Sequence, residues 1–190
     1  EVVSLADPNN PSSANTIDIT SFGASAQSVA IKNGLLAIAV ANTVETDNGF
    51  VVLMNPDGTN PISLEVGALP DMLTFTNDGN TLLVANEGQP TEDYSVDPEG
   101  SISSIDVSAG LINISQADVT NLDFNSFDSQ EAALKAAGVR IYGVNSSVSQ
   151  DLEPEYITVS DDDTEAYVAL QENNAYAIID LSVPAITDIK

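Results

Sequence analysis

"PDMLTFTNDGNTLLVAN", Pro70 to Asn86, holds two apolar, β-favouring segments joined by a polar turn, Asn77-Asp78-Gly79-Asn80. Asn, Asp and Gly tolerate the positive φ that tight hairpin turns demand, so the stretch reads as a β-hairpin. The same pattern recurs twice. "QSVAIKNGLLAIAVAN" (Gln27–Asn42) turns at Lys32-Asn33-Gly34, and "PEYITVSDDDTEAYVALQ" (Pro154–Gln171) turns at Asp161-Asp162-Asp163. Each copy ends in a run of small and apolar residues followed by an amide: Asn42, Asn86 and Gln171.

Working outward, each hairpin is followed by a second strand pair. These are "GFVVLMNPDGTNPISLEVG", "GSISSIDVSAGLINISQADV" and "NAYAIIDLSVPAITDIK", and a fourth such pair opens the chain in "EVVSLADPNNPSSANTIDITSFG". The unit is therefore four strands, a to d. Asn42 to Asn86 spans 44 residues, the length of a four-stranded propeller blade. Asn86 to Gln171 spans 85, one blade plus an insertion placed at 111–150. Within that insertion "SFDSQEAALKAAGVRIYG" reads as a short helix, started by Ser126 or Asp128 and ended by Gly138. The expected architecture is an all-β propeller of four-stranded blades, about three and a half of them, in units 1–23, 24–67, 68–110 and 151–190. A β-sandwich is the rival, but it does not require a four-strand period. Closed propellers have about four to eight blades, so the expectation is a partial domain from a longer chain. Its open edges would be paired by the remaining blades or by another copy.

Charge narrows the function. Four Lys and Arg stand against 29 Asp and Glu, a net charge of −25 over 190 residues. Such a field repels nucleic acid and anionic membranes and favours cations, or a salty medium that screens the self-repulsion. The absence of Cys and His removes disulfides, thiolate and imidazole metal ligands and His-based acid–base catalysis within this chain. No apolar run of about 18 residues offers a membrane span.

The repeat also sorts the carboxylates. The d–a and b–c connections lie on one propeller face, and the a–b and c–d turns on the other. Asp71 and Glu155 begin a strands, and Glu87 and Glu172 follow b strands. The b–c connection "NEGQPTEDYSVDPEG" (Asn86–Gly100) carries Asp93, Asp97 and Glu99, whereas its equivalents "NTVETDNG" and "QENN" are shorter. Asp151 and Glu153 reach the same face from the insertion. All nine are candidate ligands for a hard cation, Ca²⁺ before Mg²⁺, because the donors are oxygens alone. The equally weighted alternative is a solvated acidic loop. For "SDDDT" (Ser160–Thr164) a solvated turn is the favoured reading, since it lacks the Gly and terminal Glu of an EF-hand loop.

The segments "LVANEGQPTEDYSVDPEGSISSIDV" and "VSQDLEPEYITVSDDDTEAYVALQENNAYAIIDL", with "LDFNSFDSQEAALKAAGVRIYG" between them, resemble the choice-of-anchor I family. That family comprises secreted or surface-displayed bacterial β-propellers, similar also to the mesenchyme-specific cell surface glycoprotein group. The resemblance implies an extracellular or cell-surface module for adhesion, surface structure or docking of a surface polymer or protein. Some members are labelled alkaline phosphatase, which implies a metal-dependent phosphoesterase as the alternative. No catalytic residue can be carried over.

Overall fold

The computed structural model describes residues 2–190. A hairpin of β1 (Val2–Ser4) and β2 (Ser12–Asn15) precedes three four-stranded antiparallel meanders. The first is β3 (Ser25–Lys32), β4 (Leu35–Ala41), β5 (Asn48–Met54) and β6 (Ile62–Ala68). The second is β7 (Pro70–Phe75), β8 (Thr81–Asn86), β9 (Ser101–Asp106) and β10 (Val119–Asp123). The third is β11 (Pro154–Val159), β12 (Glu165–Leu170), β13 (Ala175–Asp180) and β14 (Ala185–Ile189).

The middle strands β4, β5, β8 and β9 are buried almost throughout, because each of these sheets is covered on both faces. Outer strand β6 alternates instead: Leu64 and Val66 point inward and Glu65 outward. One apolar layer sets Ala37, Ala39, Val51 and Leu53 against Leu82, Val84 and Ile105. The next sets Leu83, Ala85 and Ile102 against Ala166, Val168, Leu170 and Ile179. Strand β7 lies beside both β3 and β11, so the a strands are innermost and the sheets fan out from them as blades. The three blades form an unclosed arc.

The a–b turns meet on one face. The Asp163 carboxylate accepts from Asn77 N at 2.7 Å, Asn77 Nδ2 at 2.9 Å and Asp78 N at 2.9 Å. Asn33 Nδ2 donates to Asp78 O at 3.2 Å. The acidic turn at Asp161 to Asp163 is thus more than a solvated face, since Asp163 staples neighbouring blades.

Two features differ from the sequence reading. The stretch 111–150 is not wholly an insertion, because it contains β10, the outer strand of the second blade. Its strand character is masked by "VTNLD", of which only Leu122 is buried. The non-blade segment is therefore 124–153. Its helix also starts differently. A 3₁₀ turn at Asn125–Gln130 leads into α1 (Glu131–Ala137), and neither Ser126 nor Asp128 caps it. Asp128 instead accepts from Ser149 N at 2.9 Å, holding α2 (Val148–Asp151). Gly138, at φ 105°, ends α1 as expected.

Successive blades touch through a glycine at the head of a c strand and a proline at the head of the next a strand. A Cβ on Gly49 would lie 2.3 Å from Pro70 Cδ, and one on Gly100 would lie 2.0 Å from Leu152 O and 2.6 Å from Pro154 Cδ. Backbone cannot yield there without parting two blades. Gly100→Ala is expected to destabilise the fold by about 1–3 kcal/mol, read as a lower urea midpoint at unchanged m-value.

Candidate functional site

Opposite the a–b turns, the b–c loops, the insertion and the heads of the a strands form the mouth of the central channel. Glu87 follows β8 and is anchored there by its N–H to Leu69 O at 2.9 Å. Glu155 lies in β11, Glu172 follows β12, and Asp71 lies in β7. Glu153 arrives from the end of the insertion, 9% exposed, and its N–H donates to Asn173 Oδ1 at 3.1 Å.

These carboxyls feel one another. Burial, then Asp71, Glu153, Glu155 and Glu172, pushes Glu87 up to about 7. Burial followed by Glu172, Asp151 and Asp97 brings Glu153 to about 7. Glu155 also rises to about 7, through burial and a hydrogen bond shared with Glu172. Burial raises Asp71 as well. It also raises Asp151, although Asp151 accepts from the N–H groups of Tyr142 at 2.8 Å and Gly143 at 2.5 Å. Two buried carboxylate oxygens, Glu172 Oε2 and Asp97 Oδ1, have no hydrogen-bond partner.

Of the nine residues singled out in the sequence, seven gather here: Asp71, Glu87, Asp97, Asp151, Glu153, Glu155 and Glu172. Asp97 is held by a hydrogen bond from Ser146 Oγ, and its carbonyl accepts from Gln150 Nε2 at 2.7 Å. Asp93 and Glu99 lie elsewhere. Asp93 is exposed and closes its own turn, where hydrogen bonding from Ser95 (N at 3.0 Å) and then from Thr91 (Oγ1 at 2.9 Å) holds its carboxyl below the usual range. Glu99 faces the cleft between the first and second blades, where the Asn125 amide, nitrogen turned toward it, lies 3.1 Å from Oε1.

The donor set is oxygen alone, as a hard cation requires. Among the described residues, however, no three carboxylates converge closely enough to hold an ion as they stand.

The amides depart from the expected equivalence. Strand pairing matches Asn86 with Leu170 and Val40, because Asn86 pairs Ser101, Leu170 pairs Ala175 and Val40 pairs Phe50. The first blade's shorter a–b turn shifts the frame that the small-residue runs suggest. Asn86 is buried between blades, and Gln171 is exposed. The amide that organises the mouth is Asn173, fully buried, which the sequence reading passed over. Its Nδ2 donates to Asp151 O at 2.6 Å and Arg140 O at 2.9 Å, tying insertion to third blade. Arg140 in turn lies over the Tyr142 ring, 5.1 Å from its centroid.

Comparison with solved structures gives β-propeller proteins. Hydrazine synthase from Kuenenia stuttgartiensis aligns at TM-score 0.55 and 16% identity, over 87% of this chain and 37% of that one. A eukaryotic initiation factor aligns at 0.54 and 11%, over 93% and 34%. A nidogen/laminin complex aligns at 0.51 and 15%, over 88% and 47%. The chain thus spans less than half the length of each. No curated protein matches it. The family model of the choice-of-anchor I domain matches residues 1–190, and the chain belongs to that family.

Proposed function

We propose that this chain serves as an extracellular or cell-surface propeller that docks a partner, with Ca²⁺ balancing the charge of its acidic mouth. Family membership and the propeller fold make it a surface-type module. No described helix is long and apolar enough to cross a membrane. The observation that carries the cation reading is the crowding of buried carboxyls with unpartnered oxygens at one mouth. Like charges at close range raise their own proton affinity unless a cation relieves them. Ca²⁺ accepts irregular oxygen shells completed by water, whereas Mg²⁺ demands near-ideal octahedra. Carboxylates delivered by several separate segments suit the former. A propeller neighbour solved as a nidogen/laminin complex supports docking of a protein partner.

Two measurements test this reading. Glu87, Glu153 and Glu155 bind protons more tightly folded than unfolded, so their contribution is greatest below their ordinary value of 4.5. It is lost as pH rises through about 7. Without Ca²⁺, the melting temperature is expected to rise on acidification across that window, and less so in Glu153→Gln/Glu155→Gln.

Calcium acts in the opposite sense, because protons and Ca²⁺ compete for the same oxygens. Near pH 8, Ca²⁺ at ten times its Kd should stabilise by about 1.4 kcal/mol, a rise of roughly 3–6 °C that EGTA reverses. Near pH 5 the rise should shrink, and Glu153→Gln/Glu172→Gln should abolish it. An unchanged melting curve with Ca²⁺ near pH 8 would falsify the calcium reading.

A further inference from the structure

The two segments that the blades do not need both display apolar side chains. The long b–c loop of the second blade exposes Tyr94 and Val96, and the insertion exposes Tyr142 and Val144. Thr91 N donates to Val96 O at 2.9 Å and Tyr94 N to Thr91 O at 2.8 Å, so a compact turn presents the Tyr94 ring. The segments are also fastened to each other. The Ser146 hydroxyl donates to the Asp97 carboxylate, and Gln150 Nε2 donates to Asp97 O at 2.7 Å. Burial, then Glu153 and Tyr94, raises the Tyr142 hydroxyl, which sets these three side chains around one opening. Apolar side chains grouped on the rim of a polar cavity mark an interaction surface.

Behind that rim, Glu153 is the decisive group. It is 9% exposed and its N–H is bonded to Asn173, yet its carboxylate accepts no hydrogen bond from any described residue. Unlike Glu172 Oε2 and Asp97 Oδ1, its oxygens are not sealed from the open mouth. A buried charge needs a partner, and no cation of this chain supplies one. Among the described residues the ion pairs are Lys135–Glu131 and Lys190–Asp188. Arg140 lies over Tyr142, and Lys32 ends β3 on the opposite face. We propose that this mouth and its rim dock an arginine side chain presented by a protein partner. Glu153, Glu155 and Glu172 receive the guanidinium, and Tyr94, Val96 and Val144 receive the apolar residues beside it. The inference rests on the partner-docking half of the proposed function and does not require calcium.

The geometry calls for a donor that spans a distance. No three carboxylates of the described residues converge closely enough to hold an ion as they stand, so a ligand that fits without rearrangement must bridge them. A guanidinium is planar and spreads five N–H donors over a fork, which reaches oxygens that stand apart. It also stacks on aromatic faces, as Arg140 already does on Tyr142, and Tyr94 offers a further face on the same rim. A lysine ammonium is a compact, strongly hydrated point charge and spans less. A neutral donor leaves the carboxylate charge unbalanced.

The test is an NMR titration of the isotope-labelled chain with end-blocked Leu-Arg-Leu, Leu-Lys-Leu and Leu-citrulline-Leu peptides. It is run in EGTA at about 0.15 M salt, where long-range attraction is screened. Leu-Arg-Leu is expected to shift the amides of 91–97, 142–147 and 153–155. It should bind about ten-fold more tightly than the uncharged citrulline peptide, the scale of one charge-assisted hydrogen bond, and more tightly than the lysine peptide. Glu153→Gln should weaken Leu-Arg-Leu by about the same factor. Asp161→Asn, an equal change of charge on the opposite face, should leave its binding unaltered. Tyr94→Asn is at an exposed site with φ 54°, which Asn tolerates, and serves if Glu153→Gln does not fold. It should weaken binding by about two- to five-fold, the scale of an exposed cation–π contact. Equal binding of the arginine peptide and either other peptide, shifts away from the mouth, or an equal loss in Asp161→Asn overturns the proposal. Because calcium is chelated, failure here leaves the calcium melting test intact, and failure of that test leaves this one to be read.

Discussion

The first two blades depend on sheets being buried on both faces, and the third, whose middle strands alternate, packs against them with one. A blade such as β7–β10 has one apolar layer against the first blade and another against the third. Its central strands therefore read as nearly continuous runs, such as "TLLVA", rather than as alternating ones. Fully buried Val, Leu and Ile side chains each contribute about 1.5–3 kcal/mol relative to exposure, and here they act across two interfaces at once. Blades must then approach closely along their whole length. Gly49 and Gly100 sit where that approach is tightest, against the prolines that open the following a strands.

The same packing creates the acidic mouth. Because a strands are innermost, residues at their heads and those just after b strands converge around the axis, whatever their charge. The segment 124–153 completes the wall by packing Phe124, Phe127, Leu134, Val148 and Leu152 into the second apolar layer. Asn173 then ties Arg140 and Asp151 to the third blade, while Ser146 and Gln150 hold Asp97. A long surface loop and an insertion thereby become one rigid rim. Carboxyls drawn into that rim lose water and gain like-charged neighbours, which is why three of them have proton affinities near neutrality.

Much of this was legible in the chain. The period of 44 residues, the Asn-Gly and Asp-rich turns and the alternation of strands carried the propeller, because hairpin chemistry is local. The assignment of a and b strand ends to one face followed from topology, and seven of the nine acids meet at that mouth. Asp93 lies on the same b–c loop but stays out of the cluster because its side chain is taken up by its own turn, and Glu99 because the loop bends toward the cleft before entering β9. Strand β10 was missed because "VTNLD" buries a single side chain and has no apolar period to read.

Equivalence among the amides was misread for a different reason. Similar endings, "VAN", "VAN" and "ALQ", suggested three matching positions, but strand pairing sets Asn86 level with Val40 and Leu170 instead. Only pairing across the sheet shows that Asn86 replaces a core Leu or Val and that Asn173 is the buried organiser. By itself, then, the sequence determined the repeat, the strand polarity and the sign of the charge, since these follow from local periodicity and composition. Tertiary structure alone decided which carboxylates share a mouth, which polar groups are left without partners, and where a glycine lets two blades close. Those are properties of segments that meet only when the chain folds, 15 or more residues apart in sequence, and no local pattern encodes them.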